Sequence, residues 1–158
     1  ASELLISKYF HFGIDFFSGP YGYFVTNAHV PVYIGNHVMF GPFCRIFGGN
    51  HDVKYIQNHL KFAPEVNLEN ASIKIEDGVW IGASSVLLTN SYLSEGCVVG
   101  AGAVVTSYVP PYCICFGIPA KGFKRRFTDD ELKIILKNVS SKYTFEQVIS
   151  IFEEYGVR

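Results

Sequence analysis

The sequence predicts an all-β solenoid, a stack of short parallel strands joined by regular turns, and three observations carry that reading. A large aliphatic residue stands at every sixth position from Ile75 onward, at Ile81, Leu87, Leu93, Val99 and Val105. Four residues after each comes a small or β-branched one: Val79, Ser85, Ser91, Cys97, Ala103 and Val109. The same register occurs earlier at Ile34, Phe40 and Ile46, followed by Val38, Cys44 and Asn50. On an α-helix a step of six residues turns a side chain through roughly 600°, about 240° net, which scatters these aliphatics over three faces. On extended backbone an even step returns every side chain to the same face. A short, regular repeat of this kind is buried coil upon coil.

The elements follow in order within a single domain, residues 1–158. Residues 1–23 read as a lead-in, a short approach to Phe12 and then a stretch dense in aromatic residues at Phe16, Phe17, Tyr21 and Tyr23. It keeps the six-residue step poorly, as a terminal coil that caps a stack does. The β-helix proper is read over 24–119, interrupted by a polar, irregular stretch at 52–72 that is expected to be a loop extruded from the wall. Glycine follows the aliphatic position at Gly35, Gly41, Gly82 and Gly100, where a turn needs positive φ or close approach of the next coil. A C-terminal helical tail is read over 120–158. Thr128-Asp-Asp-Glu131 and Thr144-Phe-Glu-Gln147 are capping boxes, each followed by apolar residues at helical spacing. Two short helices packed on the solenoid, or on a neighbouring subunit, are the expectation.

Composition narrows the function classes. A formal net charge of −1, with no basic stripe, gives no electrostatic basis for nucleic-acid binding. No apolar run approaches the ~20 residues of a membrane span, and no secretory signal is visible at the N-terminus. Hydrophobic residues at 49% against 17% charged suggest apolar surface buried between subunits. Cys44 and Cys97 fall on inward positions, and Cys113 and Cys115 alternate along one strand. Neither zinc spacing nor a disulfide framework appears, so the thiols read as reduced and the location as cytoplasmic.

The hexapeptide register, Val79-Trp-Ile-Gly-Ala83, Val98-Val-Gly-Ala-Gly-Ala-Val-Val-Thr106 and Val109-Pro-Pro-Tyr112 with Gly117-Ile-Pro-Ala-Lys121 closely resemble hexapeptide-repeat acyltransferases. The likeness is to the branch of maltose and galactoside O-acetyltransferases and xenobiotic acetyltransferases, and it covers about Pro31 to Phe127. The resemblance implies a left-handed parallel β-helix of triangular coils, an exception to the usual right-handed crossover. It also implies a homotrimer with an active site in each cleft between subunits, and acetyl-CoA as co-substrate with no metal.

By the same resemblance His51, in Gly48-Gly-Asn-His51-Asp52, is the catalytic base. A sugar hydroxyl attacks a thioester poorly unless its proton is removed as the bond forms, and an imidazole suits that task, typically contributing ~10²–10⁴-fold. Whether a backbone carbonyl or Glu65 orients the ring is open. For the donor, Ala83 and Ala101 match the small residues that contact the pantetheine arm; they are eighteen residues apart, one coil of three hexapeptides. Trp80 and Thr106 match neighbouring donor contacts, and Lys121 and Lys124 fall where the family sets cations by the coenzyme phosphates, with Arg125 and Arg126 beside them. Asn27, Asn50, Asp52 and His59 are candidate acceptor contacts. One departure is Thr106-Ser107-Tyr108, where relatives often read Thr-Lys-Asp, which removes one cation from the donor site. The other is Gly117-Ile-Pro-Ala120 in place of Gly-Asn-Pro-Ala.

The expected activity is O-acetyl transfer to a carbohydrate hydroxyl, with a surface-polysaccharide precursor among the candidate acceptors. Acetylation of a xenobiotic or of a sugar amine is the alternative. A zinc carbonic anhydrase of the same fold would need three convergent histidines, and a non-catalytic scaffold would not need the Gly-Asn-His segment.

Overall fold

Each of the first four turns of the chain leaves one strand on each of three faces in the computed structural model, which describes residues 8–158. The first coil holds β1 (Phe10–Phe12), β2 (Phe17–Ser18) and β3 (Tyr23–Val25), and the second β4 (Val32–Ile34), β5 (Met39–Phe40) and β6 (Arg45–Phe47). After the loop come β7 (Ile73–Ile75), β8 (Trp80–Ile81) and β9 (Val86–Leu88), then β10 (Tyr92–Leu93), β11 (Val98–Val99) and β12 (Val104–Val105). β13 (Tyr108–Val109), β14 (Cys113–Gly117) and β15 (Ala120–Arg125) close the stack, and α1 (Asp129–Asn138) and α2 (Phe145–Tyr155) follow. The first face is β1-β4-β7-β10-β13, the second β2-β5-β8-β11-β14-β15 and the third β3-β6-β9-β12. Every pairing between these strands is parallel except β14 with β15.

The repeat explains the core. Ile75, Ile81, Leu87, Leu93, Val99 and Val105 point inward and none is more than 3% exposed. Val79, Ser85, Ser91, Cys97, Ala103 and Val109 are all buried beside them. The two serines bring hydroxyls into this core, and backbone carbonyls satisfy them: Ser85 donates to Gly100 at 3.0 Å and Ser91 to Val105 at 2.8 Å. Each buried aliphatic contributes about 1.5–3 kcal/mol relative to exposure. Trp80 pairs with Val98, eighteen residues on, so successive coils stack without drift.

The glycines divide the turn between two demands. Gly41 and Gly82 follow an inward residue and meet the next coil, where a Cβ would lie 2.7 Å from the Ala83 and Ala101 nitrogens. Positive φ instead falls three residues after the inward aliphatic, at Phe43, Gly49, Gly78, Ser84, Asn90, Gly96 and Gly102 among others.

Three boundaries differ from the sequence reading. Of the lead-in 1–23, residues 1–7 lie outside the described residues, but β1 and β2 fall within the rest and form the first coil. Phe10 pairs with Val32, 22 residues on, where later coils repeat at eighteen. The four extra residues sit in the corner after Val25 and hide the register. Second, the β-helix wall does not end at 119, because β15 runs antiparallel to β14 and covers its edge. Third, the tail 120–158 therefore starts as strand, and helix begins only at Asp129, capped by Thr128 as its capping box requires. The second box, Thr144 with Gln147, starts α2 in the same way.

The tail packs on the solenoid through Leu132, Leu136, Val148 and Phe152, which join the core. A polar latch reinforces it. Glu76 accepts from Lys142, Tyr92 and Tyr143, and from the Glu95 backbone N–H at 2.8 Å; Tyr112 donates to Glu95. Among the described residues no helix is long and apolar enough to cross a membrane.

Candidate active site

The corner after β6 is built by two glycines. A Cβ on Gly48 would lie 2.0 Å from Thr26 Oγ1, so only glycine lets the second coil close on the first. Gly49 has φ +96°, in the left-handed region, and a Cβ there would lie 2.4 Å from Asn27 Nδ2. Its N–H donates to Thr89 Oγ1 at 3.0 Å, tying the corner to the coil beyond the loop. Thr26 donates to the Val30 carbonyl, and Asn27 Oδ1 accepts from His29 N–H at 3.0 Å. The chain then leaves the wall as an extended segment. Asn50 accepts from Val66 N–H at 2.8 Å, and His51 pairs antiparallel with Glu65.

The fold here fixes an imidazole. His51 Nδ1 lies 3.1 Å from the carbonyl oxygen of Ala63, a residue only 6% exposed. A carbonyl can only accept, so Nδ1 carries the proton and the neutral ring keeps its lone pair on Nε2. The orienting group is thus a backbone carbonyl; Glu65 contributes the strand pairing. Asn27, Asn50, His51 and Glu65 line one concavity of about 180 Å³. Asp52 and His59 lie outside it. The Asp52 carboxylate accepts from Lys54 N–H at 2.9 Å, and His59 is exposed at the start of a short 3-10 turn, Leu60–Phe62.

The other sequence-predicted residues lie elsewhere. Ala83 and Ala101 stack on the corner between the second and third faces, where Gly102 N–H donates to the Ala83 carbonyl at 2.9 Å. Trp80, 49% exposed, stands on the outer side of the second face. Pairing carries its row through Val98 and Ile114 to Lys124, so Trp80 and the exposed Lys124 are three strand spacings apart, about 14 Å. Lys121 is exposed near the β14–β15 turn. Thr106 is exposed on the third face, level with Leu88 and Phe47 and thus close to the His51 corner. The third face separates the His51 corner from the Ala83 corner by five or six extended residues, roughly 15–20 Å. One chain therefore carries both halves on different edges.

Arg125 and Arg126 do not join the exposed lysines. Arg125 pairs with Asp129 at 2.5 Å and lies over the Phe152 ring; Arg126 donates to the Gly96 carbonyl and stacks on Phe127. Both hold the tail. Thr26, Ala63 and Thr89 are contributors the sequence reading missed. The Gly48-Gly49 pair was their one visible signal, since two successive glycines mark a close backbone approach. A cavity of about 610 Å³ between the wall and α1 is lined by Glu76, Glu95, Tyr112, Arg126 and Lys142. Apart from Arg126, it contains none of the candidate site residues. Among the described residues no three or more His, Cys, Asp or Glu side chains gather as a metal ion would require.

Comparison with known proteins bears on the repeat and the fold. Residues 72–107 match the bacterial transferase hexapeptide family (six repeats). A chloramphenicol acetyltransferase of Klebsiella aerogenes is 35% identical over 47% of this chain and 35% of its own length. A galactoside O-acetyltransferase of Lactococcus lactis is 31% identical over 65% of this chain and 46% of its own length. The crystal structure of a maltose O-acetyltransferase from Clostridium difficile superposes with a TM-score of 0.61 at 28% identity, over 71% of this chain and 56% of that one. The chain thus spans about a third to a half of the length of these curated relatives.

Proposed function

Because the chain belongs with the hexapeptide-repeat acyltransferases, we propose that it is an O-acetyltransferase that moves an acetyl group from acetyl-CoA to a carbohydrate hydroxyl, with His51 as general base. The observation that carries this reading is the His51–Ala63 hydrogen bond, which leaves Nε2 free to take a proton. The acceptor oxygen attacks the thioester carbonyl carbon while its proton passes to Nε2. The tetrahedral intermediate collapses, the carbon–sulfur bond breaks, and Nε2 returns the proton to the leaving thiolate. The products are an acetyl ester and the coenzyme thiol. Backbone N–H groups beside the thioester would stabilise the developing oxyanion.

The donor lies along the Ala83–Ala101 corner, with Trp80 on the groove wall and Lys121 and Lys124 toward the phosphates; Thr106, on the His51 edge, would reach it from a second copy. Since that corner and His51 are on different edges of one chain, the site needs a second copy, and we assign a homotrimer with its acceptor contacts, Asn27 and Asn50, beside His51. Exposed apolar side chains support that assembly: Phe17, Met39 and Trp80 on the second face, Tyr23 and Phe47 on the third, and Val53, Ile56 and Phe62 on the loop. A left-handed winding and a cytoplasmic location, where acetyl-CoA is available and the four thiols stay reduced, belong to the same proposal. The name of the Klebsiella aerogenes relative favours a second acceptor class, a drug hydroxyl.

The test is an acceptor screen with acetyl-CoA that includes maltose, galactosides and chloramphenicol, run on the native chain and on His51→Ala. Turnover at least ~100-fold lower in the variant, at unchanged acetyl-CoA affinity, is expected. Near-native turnover in His51→Ala would reject the role of the imidazole.

A further inference from the structure

The corner that carries Ala83 and Ala101 continues upward into two aromatic residues in an unusual backbone conformation. Successive coils meet there through Phe43 N–H to the Pro20 carbonyl at 3.0 Å, Ser84 N–H to Pro42 at 2.9 Å and Gly102 N–H to Ala83 at 2.9 Å. The left-handed position of each turn is therefore, in order, Tyr21, Phe43, Ser84 and Gly102. Serine and glycine fit such a turn, and elsewhere Asn90 does. Bulky aromatics at φ +62° and +61° are outliers, of the kind that persists where the strained residue has a use. Their rings stack at 5.0 Å between centroids and 13° between planes, yet Tyr21 is 64% and Phe43 46% exposed. Neither ring is a core residue.

Their height along the solenoid suggests the use. Phe43 lies between β5 and β6, on the same coil that ends at His51, and one coil above Ala83. A cyclic trimer with its threefold axis parallel to the solenoid keeps equivalent residues at equal height. A neighbour's His51 then stands level with Phe43, while the donor's acyl end approaches from Ala83, one strand spacing below. The acceptor has to lie between base and thioester, at and just below the level of Phe43, with Tyr21 one strand spacing above it.

We propose that Phe43 and Tyr21 form a stacking platform for the pyranose ring of the acceptor, packing against its C–H face and setting which hydroxyl meets the base. A flat apolar ring face is what the weakly polar face of a sugar packs on, and the Tyr21 hydroxyl adds a polar edge. The inference rests on the acetyltransferase reading above and adds the acceptor subsite to it.

The test replaces the rings by the residue that the Asn90 turn already tolerates. Tyr21→Asn/Phe43→Asn and, as conservative control, Phe43→Tyr are compared with the native chain, using maltose and methyl α-glucopyranoside as probes and chloramphenicol alongside. The double variant is expected to raise the sugar KM at least tenfold, with kcat within threefold, and acetyl-CoA affinity by calorimetry and mass by light scattering unchanged. Phe43→Tyr should stay within threefold of native KM. An unchanged sugar KM in the double variant overturns the platform. So does a fall in acetyl-CoA affinity, which would make the rings a donor contact, or a change in mass, which would make them a contact between copies. Turnover of chloramphenicol but no sugar overturns the pyranose assignment. Failure of the native chain to bind acetyl-CoA is a different result and removes the acetyltransferase reading itself.

Discussion

His51 donates its Nδ1 proton to the carbonyl oxygen of Ala63, 3.1 Å away and twelve residues further along the chain. The contact is possible because the extruded loop returns to pair with the segment it left, His51 against Glu65. It fixes both the ring plane and the tautomer. In two-bond nitrogen correlation spectra of the neutral ring, His51 is expected to show a protonated Nδ1 and a pyridine-like Nε2. The opposite tautomer would leave no acceptor for a substrate proton and would break the proposed chemistry.

Gly49 supports that histidine from two residues away. Its φ of +96° and the 2.4 Å approach of Asn27 to a notional Cβ make alanine costly twice over. Strain of this kind costs about 1–3 kcal/mol and local overpacking a similar amount. Gly49→Ala is expected to lower stability by about 2–4 kcal/mol in denaturant titration. Gly78→Ala is the control, since at φ +67° it carries the milder left-handed strain and meets nothing within 4 Å. It should lose less. Equal losses would mean that the Asn27 contact contributes nothing.

How far the sequence disclosed this architecture depended on the period of each part. Ile75 to Val109 repeat without interruption, and every inward residue there is buried as the step of six requires. The first coil reads as a lead-in in the sequence because four extra residues after Val25 lengthen its repeat to 22. β15 reads as tail because it carries no hexapeptide; only its pairing with Cys113–Gly117 makes it part of the wall. At the candidate site, Asn27, Asn50 and His51 share a concavity as neighbours along one corner. Ala63 was not legible, since a carbonyl acceptor has no side-chain signature and the loop's return path is set by tertiary contacts. For the same reason Glu76 drew no notice among the charges of the wall.

Glu76 titrates with the tail. Burial by itself would raise its carboxyl, but hydrogen bonds from Lys142, Tyr92 and the Glu95 backbone outweigh that and hold it below the ordinary 4.5. A depressed carboxyl stabilises the fold above its unfolded-state value, and that contribution is lost as pH falls through the lower folded value. Hydrogen bonds to a charged group typically contribute about 1.5–3 kcal/mol. Glu76→Gln is therefore expected to destabilise the chain by about 2 kcal/mol at pH 7, with the gap to the native chain closing below about pH 4. Chemical denaturation at a series of pH values checks this. A gap that stays constant into acid would show that the carboxylate charge is not what holds the tail. At the alkaline end the sign reverses. Burial and the Glu76 bond raise Tyr92, so its contribution is full below the ordinary 10.0 and fades above it.

The four thiols offer a readout of the wall itself. Cys44, Cys97, Cys113 and Cys115 are free and buried, the last three at 0% exposure. Burial pushes each thiol up, Cys115 to about 12, and so disfavours the reactive thiolate in the folded chain. Reaction with an aromatic disulfide reagent is therefore expected to require opening of the coils, at a rate that rises with denaturant in step with unfolding. Cys44 is the sensitive position, because its coil is joined to the next through the extruded loop, and its sulfur lies 3.2 Å from the Gly82 carbonyl across that junction. If Cys44 reacts before the other three under mild denaturant, the first two coils open ahead of the regular stack. Simultaneous reaction of all four would instead make the solenoid a single cooperative unit, and rapid reaction in the absence of denaturant would contradict the packing of these strands.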